Sequence, residues 1–131
     1  MTIRFKHLCS AAAGILCAGI LNSCSLPKQM NDQLNALPFP RTDMTAVHDG
    51  TYTGTAETIL VKADVSVEIK AGQIQQIKIL RHVNGKGKKA EAITKAMQAA
   101  NTWDVDCVSG ATASSLVLKS AAAQAIAKGA E

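Results

Sequence analysis

The sequence predicts an α+β domain, a small antiparallel sheet with two helices packed on one face. Three observations lead there. Residues 61–70 alternate, with Val65, Val67 and Ile69 on one side and Asp64, Ser66, Glu68 and Lys70 on the other, the two-residue period of a strand with one wet face. The β-forming segments around it are joined by turn-length stretches, and two runs of strong helix formers follow only afterwards. Strands that come before the helices, rather than alternating with them, favour an antiparallel sheet. A chain of 131 residues holds one ordinary domain, and with two Phe, one Trp and one Tyr its core must be mainly aliphatic.

Taken in chain order, residues 1–23 read as an export leader. Arg4 and Lys6 precede an uncharged, mostly apolar run at 8–21, shorter than the about twenty residues that span a bilayer. The run closes on Leu21-Asn22-Ser23-Cys24, which resembles the lipobox of bacterial lipoproteins. In that pattern the cysteine becomes the mature N-terminus and its sulfur takes a diacylglyceryl group, so Cys24 is the expected lipidation site. Each buried methylene of such chains adds about 0.8 kcal/mol of membrane affinity. Ser25 behind it resembles the pattern of lipoproteins passed to the outer membrane. The expectation is an extracytoplasmic protein of the cell envelope, lipid-anchored to a membrane, at the outer membrane or periplasmic face in a Gram-negative cell.

Residues 24–47 hold all three prolines, Pro27, Pro38 and Pro40, and sustain neither strand nor helix period; they read as a tether. Two alternatives stay open there, a short helix near 29–37 and packing onto the domain through Leu34, Leu37 and Phe39. The domain proper is expected at 48–131. Asp49-Gly50 is a turn signal and residues 51–56 are rich in β-formers, giving a first strand. The alternating segment is the second, and Ala71-Gly72 makes a tight turn into a third led by Ile74, Ile77 and Ile79 and ending near His82. Ile74 and Ile77 are an odd number apart, so a bulge is expected around Gln75-Gln76. A basic, glycine-containing loop at 84–89 leads to a helix over 90–100 with Ile93, Met97 and Ala100 at helical spacing. A second helix over 113–128 places Leu116, Ser120, Ala123, Ile126 and Ala127 on one face.

Composition narrows the function. Arg4 and Lys6 of the leader account for two of the four net positive charges, and the remaining lysines and acids are interspersed, which argues against nucleic acid as partner. Cys9, Cys17 and Cys24 lie in the first 24 residues, leaving Cys107 alone in the body; neither a disulfide framework nor a zinc site is indicated.

The segment Asp106-Cys107-Val108-Ser109-Gly110-Ala111-Thr112 carries the chemistry, because a carboxylate, two hydroxyls and a glycine converge on a helix start. Glycine lets a bulky group approach the backbone, and the unpaired N–H groups and dipole of a helix N-terminus suit a phosphate. A threonine hydroxyl there can hydrogen-bond a phosphate or be esterified by it. Equally, Ser109 or Thr112 can be no more than an N-cap.

This motif, with Asp49-Gly50-Thr51-Tyr52-Thr53-Gly54, the strand pair around Gly72, and His82, resembles the FMN-binding domain family across nearly all of 48–131. That family includes flavin-bearing subunits of sodium-pumping NADH:quinone reductase and related electron-transport complexes, and small exported flavoproteins. The resemblance implies FMN as cofactor, joined through a phosphoester to Thr112 by a flavin transferase that uses FAD as donor with magnesium and releases AMP. Asp106 matches the motif acid, Ser109, Gly110 and Ala111 the loop that exposes the hydroxyl, and His82 a position near the flavin. Trp103 is a candidate to stack on the isoalloxazine, its other reading being a core anchor. Lys86, Lys88 and Lys89 read either as a solvated face or as charge facing the flavin or an acidic partner. Cys107 and the absence of an aromatic after His82 depart from the usual pattern. The function implied is electron transfer in the cell envelope between redox partner proteins, an electron carrier more than a stand-alone enzyme. The alternatives are a non-covalent FMN subunit of a reductase complex and a flavin-free envelope lipoprotein.

Overall fold

The computed structural model describes residues 25–83 and 88–131; the leader, Cys24 and Lys86 lie outside them. Residues 1–32 and 33–131 form two separate units. Of the first, the described part is the beginning of helix α1 (Ser25–Asn35).

The centre of the second unit is a sheet of three antiparallel strands in sequence order, β1 (Gly50–Glu57), β2 (Lys62–Lys70) and β3 (Gln73–Val83). Ala63, Val65, Val67 and Ile69 of β2 point inward as the alternation requires, opposite Ala56, Gly54, Tyr52 and Gly50 of β1. The other face stays open to water, with the cross-strand pairs Glu57–Lys62 (3.0 Å) and Asp64–Arg81 (3.1 Å) on it. Exposed pairs of this kind contribute at most about 1 kcal/mol each.

β3 keeps its inner face only by slipping register twice. Gln75 is the extra residue between the pairs Glu68–Gln76 and Ile69–Ile74, and Leu80 the extra one between Asp64–Arg81 and Val65–Ile79. The first bulge is the expected one. Together the two hold Ile74, Ile77, Ile79 and His82 on the same side, where strict alternation from Ile74 would have turned Ile77 and Ile79 outward, and strict alternation from Ile79 would have turned His82 outward.

Two helices cover the inner face, which bears out the α+β reading. A 3-10 turn (Lys88–Ala92) runs into α2 (Ile93–Ala100), whose Ile93 and Met97 are buried against β3. The helix ends on Asn101 in left-handed conformation, and this side chain ties α2 to the β2–β3 hairpin: Ile74 N–H donates to its Oδ1 (2.8 Å) and its Nδ2 donates to the Gly72 carbonyl (3.0 Å).

α3 (Thr112–Lys128) lies across β1 and β2 and is buried nearly all the way round, including Val117, Leu118, Ala121, Ala122, Ala125 and Ile126. It therefore does not select the single face read from its spacing; Leu116 and Ala127 are only half-buried. Small residues allow this closeness: a Cβ on Gly54 would stand 1.8 Å from the Ala121 carbonyl oxygen. Among the described residues the buried core contains Val, Ile, Leu, Ala and Met and no aromatic side chain, in line with the composition.

Residues 33–47 run along this unit. Leu37 and Val47 are buried in the core, and Leu34, Phe39 and Met44 pack against it, so the three side chains named for the packing alternative do make that contact. The Ser120 hydroxyl donates to the Pro38 carbonyl (2.6 Å). A short 3-10 turn (Met44–Ala46) is capped by Asp43, whose carboxyl is held below its ordinary range by the Thr45 backbone N–H (2.9 Å) and hydroxyl (2.7 Å).

Candidate functional site

The motif loop is built around one tight turn. Ala111 N–H donates to the Val108 carbonyl (3.0 Å) with Gly110 at φ +75° between them, the geometry of a type II turn whose third position needs a positive φ. Behind it the buried Ser115 holds the loop in place, its Oγ accepting from Val108 N–H (3.0 Å) and its own N–H donating to the Ala111 carbonyl (2.9 Å). The sequence had not singled out Ser115. A hydroxyl in the first turn of a helix leans toward the N-terminus, which was the signal to follow.

Thr112 is the first residue of α3 and is exposed, as are Asp106, Ser109 and Gly110. The residue in the cap position is Ala111, with no side-chain cap, so neither Ser109 nor Thr112 acts as one. Among the described residues the Thr112 hydroxyl has no hydrogen-bond partner, and the N–H groups of Thr112, Ala113 and Ser114 have no backbone acceptor. A nucleophilic hydroxyl and three free donors thus share one exposed helix start.

Lys89 comes to the same loop from the 3-10 turn. Its Nζ stands 2.7 Å and its Cε 3.4 Å from the point a Cβ on Gly110 would occupy. His82 reaches this region through the Leu80 bulge: its side chain is only 2% exposed, and its Nδ1 lies 3.2 Å from Glu91 Oε1, two residues beyond Lys89.

Trp103 has neighbours of its own. Its ring stacks on Phe39 (centroids 5.3 Å apart, 28° between planes), and Lys119 Nζ stands 5.8 Å from the ring centre and 3.6 Å from Asp104. Cys107 is half-buried, with a free thiol. A groove of 660 Å³ opens between residues 33–38 and the end of β1, lined among others by Leu37, Thr55, Ile59 and Gln124; no motif residue lines it.

The donor set at the α3 start fits a phosphorylated cofactor: a glycine cradle, open backbone N–H groups, an ammonium and an unengaged hydroxyl, with no carboxylate in the turn itself. Comparison with known proteins decides which one. The model of the FMN-binding domain matches residues 61–127, just over half of the chain. The chain belongs to the FMN-binding domain family. Its cofactor is FMN, and its role is that of a flavin-binding domain in electron transfer. The matched span takes in β2, β3, α2, the whole motif loop and α3 as far as Ala127. No curated protein matches the sequence.

Proposed function

We propose that this member of the FMN-binding domain family is an exported, lipid-anchored electron carrier of the cell envelope, with FMN joined by a phosphoester to Thr112. One observation carries the covalent reading: the Thr112 hydroxyl stands exposed at the first position of α3, free of any capping duty, in a turn whose glycine keeps the approach clear.

When bound, FMN supplies one- and two-electron redox chemistry; the protein supplies attachment and environment. In the attachment step Thr112 Oγ attacks the FMN phosphorus of FAD on an external transferase. The Oγ–P bond forms as the P–O bond to AMP breaks, AMP leaves with the bonding pair, and the hydroxyl proton passes to a base. Asp106, exposed ahead of the turn, serves the transferase as a docking carboxylate or as that base. Ser115 and Gly110 keep the loop in the shape that presents Thr112. His82 stands on the flavin side, oriented by Glu91. Trp103 serves the flavin only by fixing the loop that leads into the motif, through Phe39 and Lys119.

Cys24 carries the lipid, and the tether is the stretch between Cys24 and Gln33, where the folded unit begins. Among the described residues no helix is long and apolar enough to cross a membrane. Covalent attachment suits an extracytoplasmic carrier, which cannot draw on a pool of diffusible flavin. The partners are the flavin transferase, redox proteins on either side of the electron transfer, and the membrane that holds the lipid.

Coexpression with a flavin transferase tests this. The wild type is expected to be yellow and to give a flavin-fluorescent band that survives denaturation, Thr112→Ala to be dark, and the intact mass to carry both FMN and the lipid. A yellow native protein whose denatured band is dark would replace the phosphoester by non-covalent FMN, and an unlipidated mass would remove the anchor.

A further inference from the structure

Among the lysines of the folded unit, several have visible engagements: Lys62 pairs with Glu57, Lys119 lies near Asp104 and Trp103, and Lys128 donates to the Thr53 carbonyl (2.6 Å). Lys89 differs. Among the described residues it has no acidic partner, and its ammonium rests instead over Gly110, close enough that any side chain at 110 would displace it.

Its backbone is fixed on the C-terminal side. Ala90 is fully buried, and Glu91 is held by His82, so the side chain of Lys89 swings from a fixed base toward the turn that precedes Thr112.

We propose that Lys89 is the counter-charge of the FMN phosphate, a cofactor-positioning residue that the turn before α2 delivers to the motif loop. This rests on the reading that the phosphate is bonded at Thr112. A phosphodiester there keeps one negative charge, and three backbone N–H groups with a helix dipole neutralise it only in part. An ammonium, as a compact point charge with three donors, complements a phosphate oxygen without needing a fixed planar approach. Gly110 is then required twice, once for its positive φ and once because a Cβ would occupy the space of the ammonium. With the phosphate pinned between Lys89 and the start of α3, the ribityl chain has one anchored end of defined direction, which limits where the ring can lie.

The test uses the flavinylated protein and reads phosphorus directly. The ³¹P resonance and the time-resolved fluorescence anisotropy of the flavin are compared in wild type, Lys89→Gln, Lys89→Arg and, as a neighbouring control, Lys88→Gln. The expected result is a shifted ³¹P line and faster local flavin motion in Lys89→Gln alone, with Lys89→Arg near the wild type. Superposition of Lys89→Gln on the wild type in both measurements would overturn the proposal, as would an equal change in Lys88→Gln. Failure of the Thr112 reading shows separately, as a fluorescent denatured band that persists in Thr112→Ala; attachment at another residue removes both. Where the wild type holds FMN without a covalent bond, the phosphate monoester gives its own ³¹P line and the same comparison still decides for or against Lys89.

Discussion

Ala71 occupies a conformation that its side chain disfavours. It has φ +52° and Gly72 φ +71°, so the β2–β3 hairpin turns through a two-residue loop with both central residues left-handed, the type I′ arrangement that suits the strand twist. For an alanine the left-handed region costs roughly 1–2 kcal/mol, whereas asparagine tolerates it. The Ala71 N–H donates to Asp49 Oδ1 (2.7 Å), a backbone contact that any substitution except proline retains. Ala71→Asn is therefore expected to stabilise the protein by about 1 kcal/mol and to raise its melting temperature by roughly 4–8 °C, as calorimetry or circular dichroism would show; an unchanged or lower midpoint would mean that the turn is not strained as described. The turn itself was legible, because Ala-Gly interrupts two apolar-alternating runs, but the sign of φ at Ala71 was not, since it follows from strand twist and loop length together. Thr112 shows the same limit. Residue types alone left its hydroxyl equally suited to capping and to chemistry, and only the backbone, which puts Ala111 in the cap position, separates them.

At the scale of the element, β3 is where pattern reading succeeded once and failed once. The Gln75 bulge announces itself through the odd spacing of Ile74 and Ile77. The Leu80 bulge is silent, because Ile79, Leu80 and Val83 are all apolar and no polar residue marks the slip. Yet the second bulge matters more to the site, since it turns His82 inward toward Glu91 and leaves Arg81 facing Asp64 on the wet side. Two kinds of change at this position are both expected to keep the faces of β3. Leu80→Ala removes only an exposed side chain and should alter stability by less than about 0.5 kcal/mol. Deleting Leu80 removes the extra residue and leaves Ile79, Arg81 and His82 opposite Val65, Asp64 and Ala63, so Arg81 stays on the wet face and His82 on the inner one, and the cost is expected to stay within about 1 kcal/mol. Urea titration of the two variants checks this, and a deletion variant less stable by several kcal/mol would show that the bulge itself, and not only the register it sets, is needed. For α3 the failure has another cause: a helix enclosed by the sheet, the 3-10 turn before α2, and residues 38–39 and 103–104 has no wet face for a periodicity to reveal.

For the molecule as a whole, the order of strands and helices and the family membership were legible before any coordinates, because they rest on long periodic segments and on a motif of fixed spacing. The extent of the folded unit was not. Residues 33–47 stabilise it through isolated contacts that leave no period in the sequence: Leu37 and Val47 enter the core one at a time, Phe39 meets Trp103, and Pro38 contributes a carbonyl to Ser120. Proline prevents regular structure in such a stretch without preventing burial. A chain beginning at His48 would keep every strand and both covering helices, and all of the matched family span, yet it would uncover the space filled by Leu37 and Val47 and leave the Ser120 hydroxyl inside without its acceptor. Each lost apolar side chain removes about 1.5–3 kcal/mol of burial and the unmade hydrogen bond about 1–3 kcal/mol more, a large part of what a small domain has in total. Compared in parallel, a chain beginning at Gln33 is expected to unfold cooperatively and to bind FMN, and one beginning at His48 to melt at least 15 °C lower or to lose its cooperative transition, since 1 kcal/mol moves the midpoint of a domain this size by roughly 4–8 °C. Equal melting curves for the two would return residues 33–47 to the role of a tether and place the start of the domain at His48.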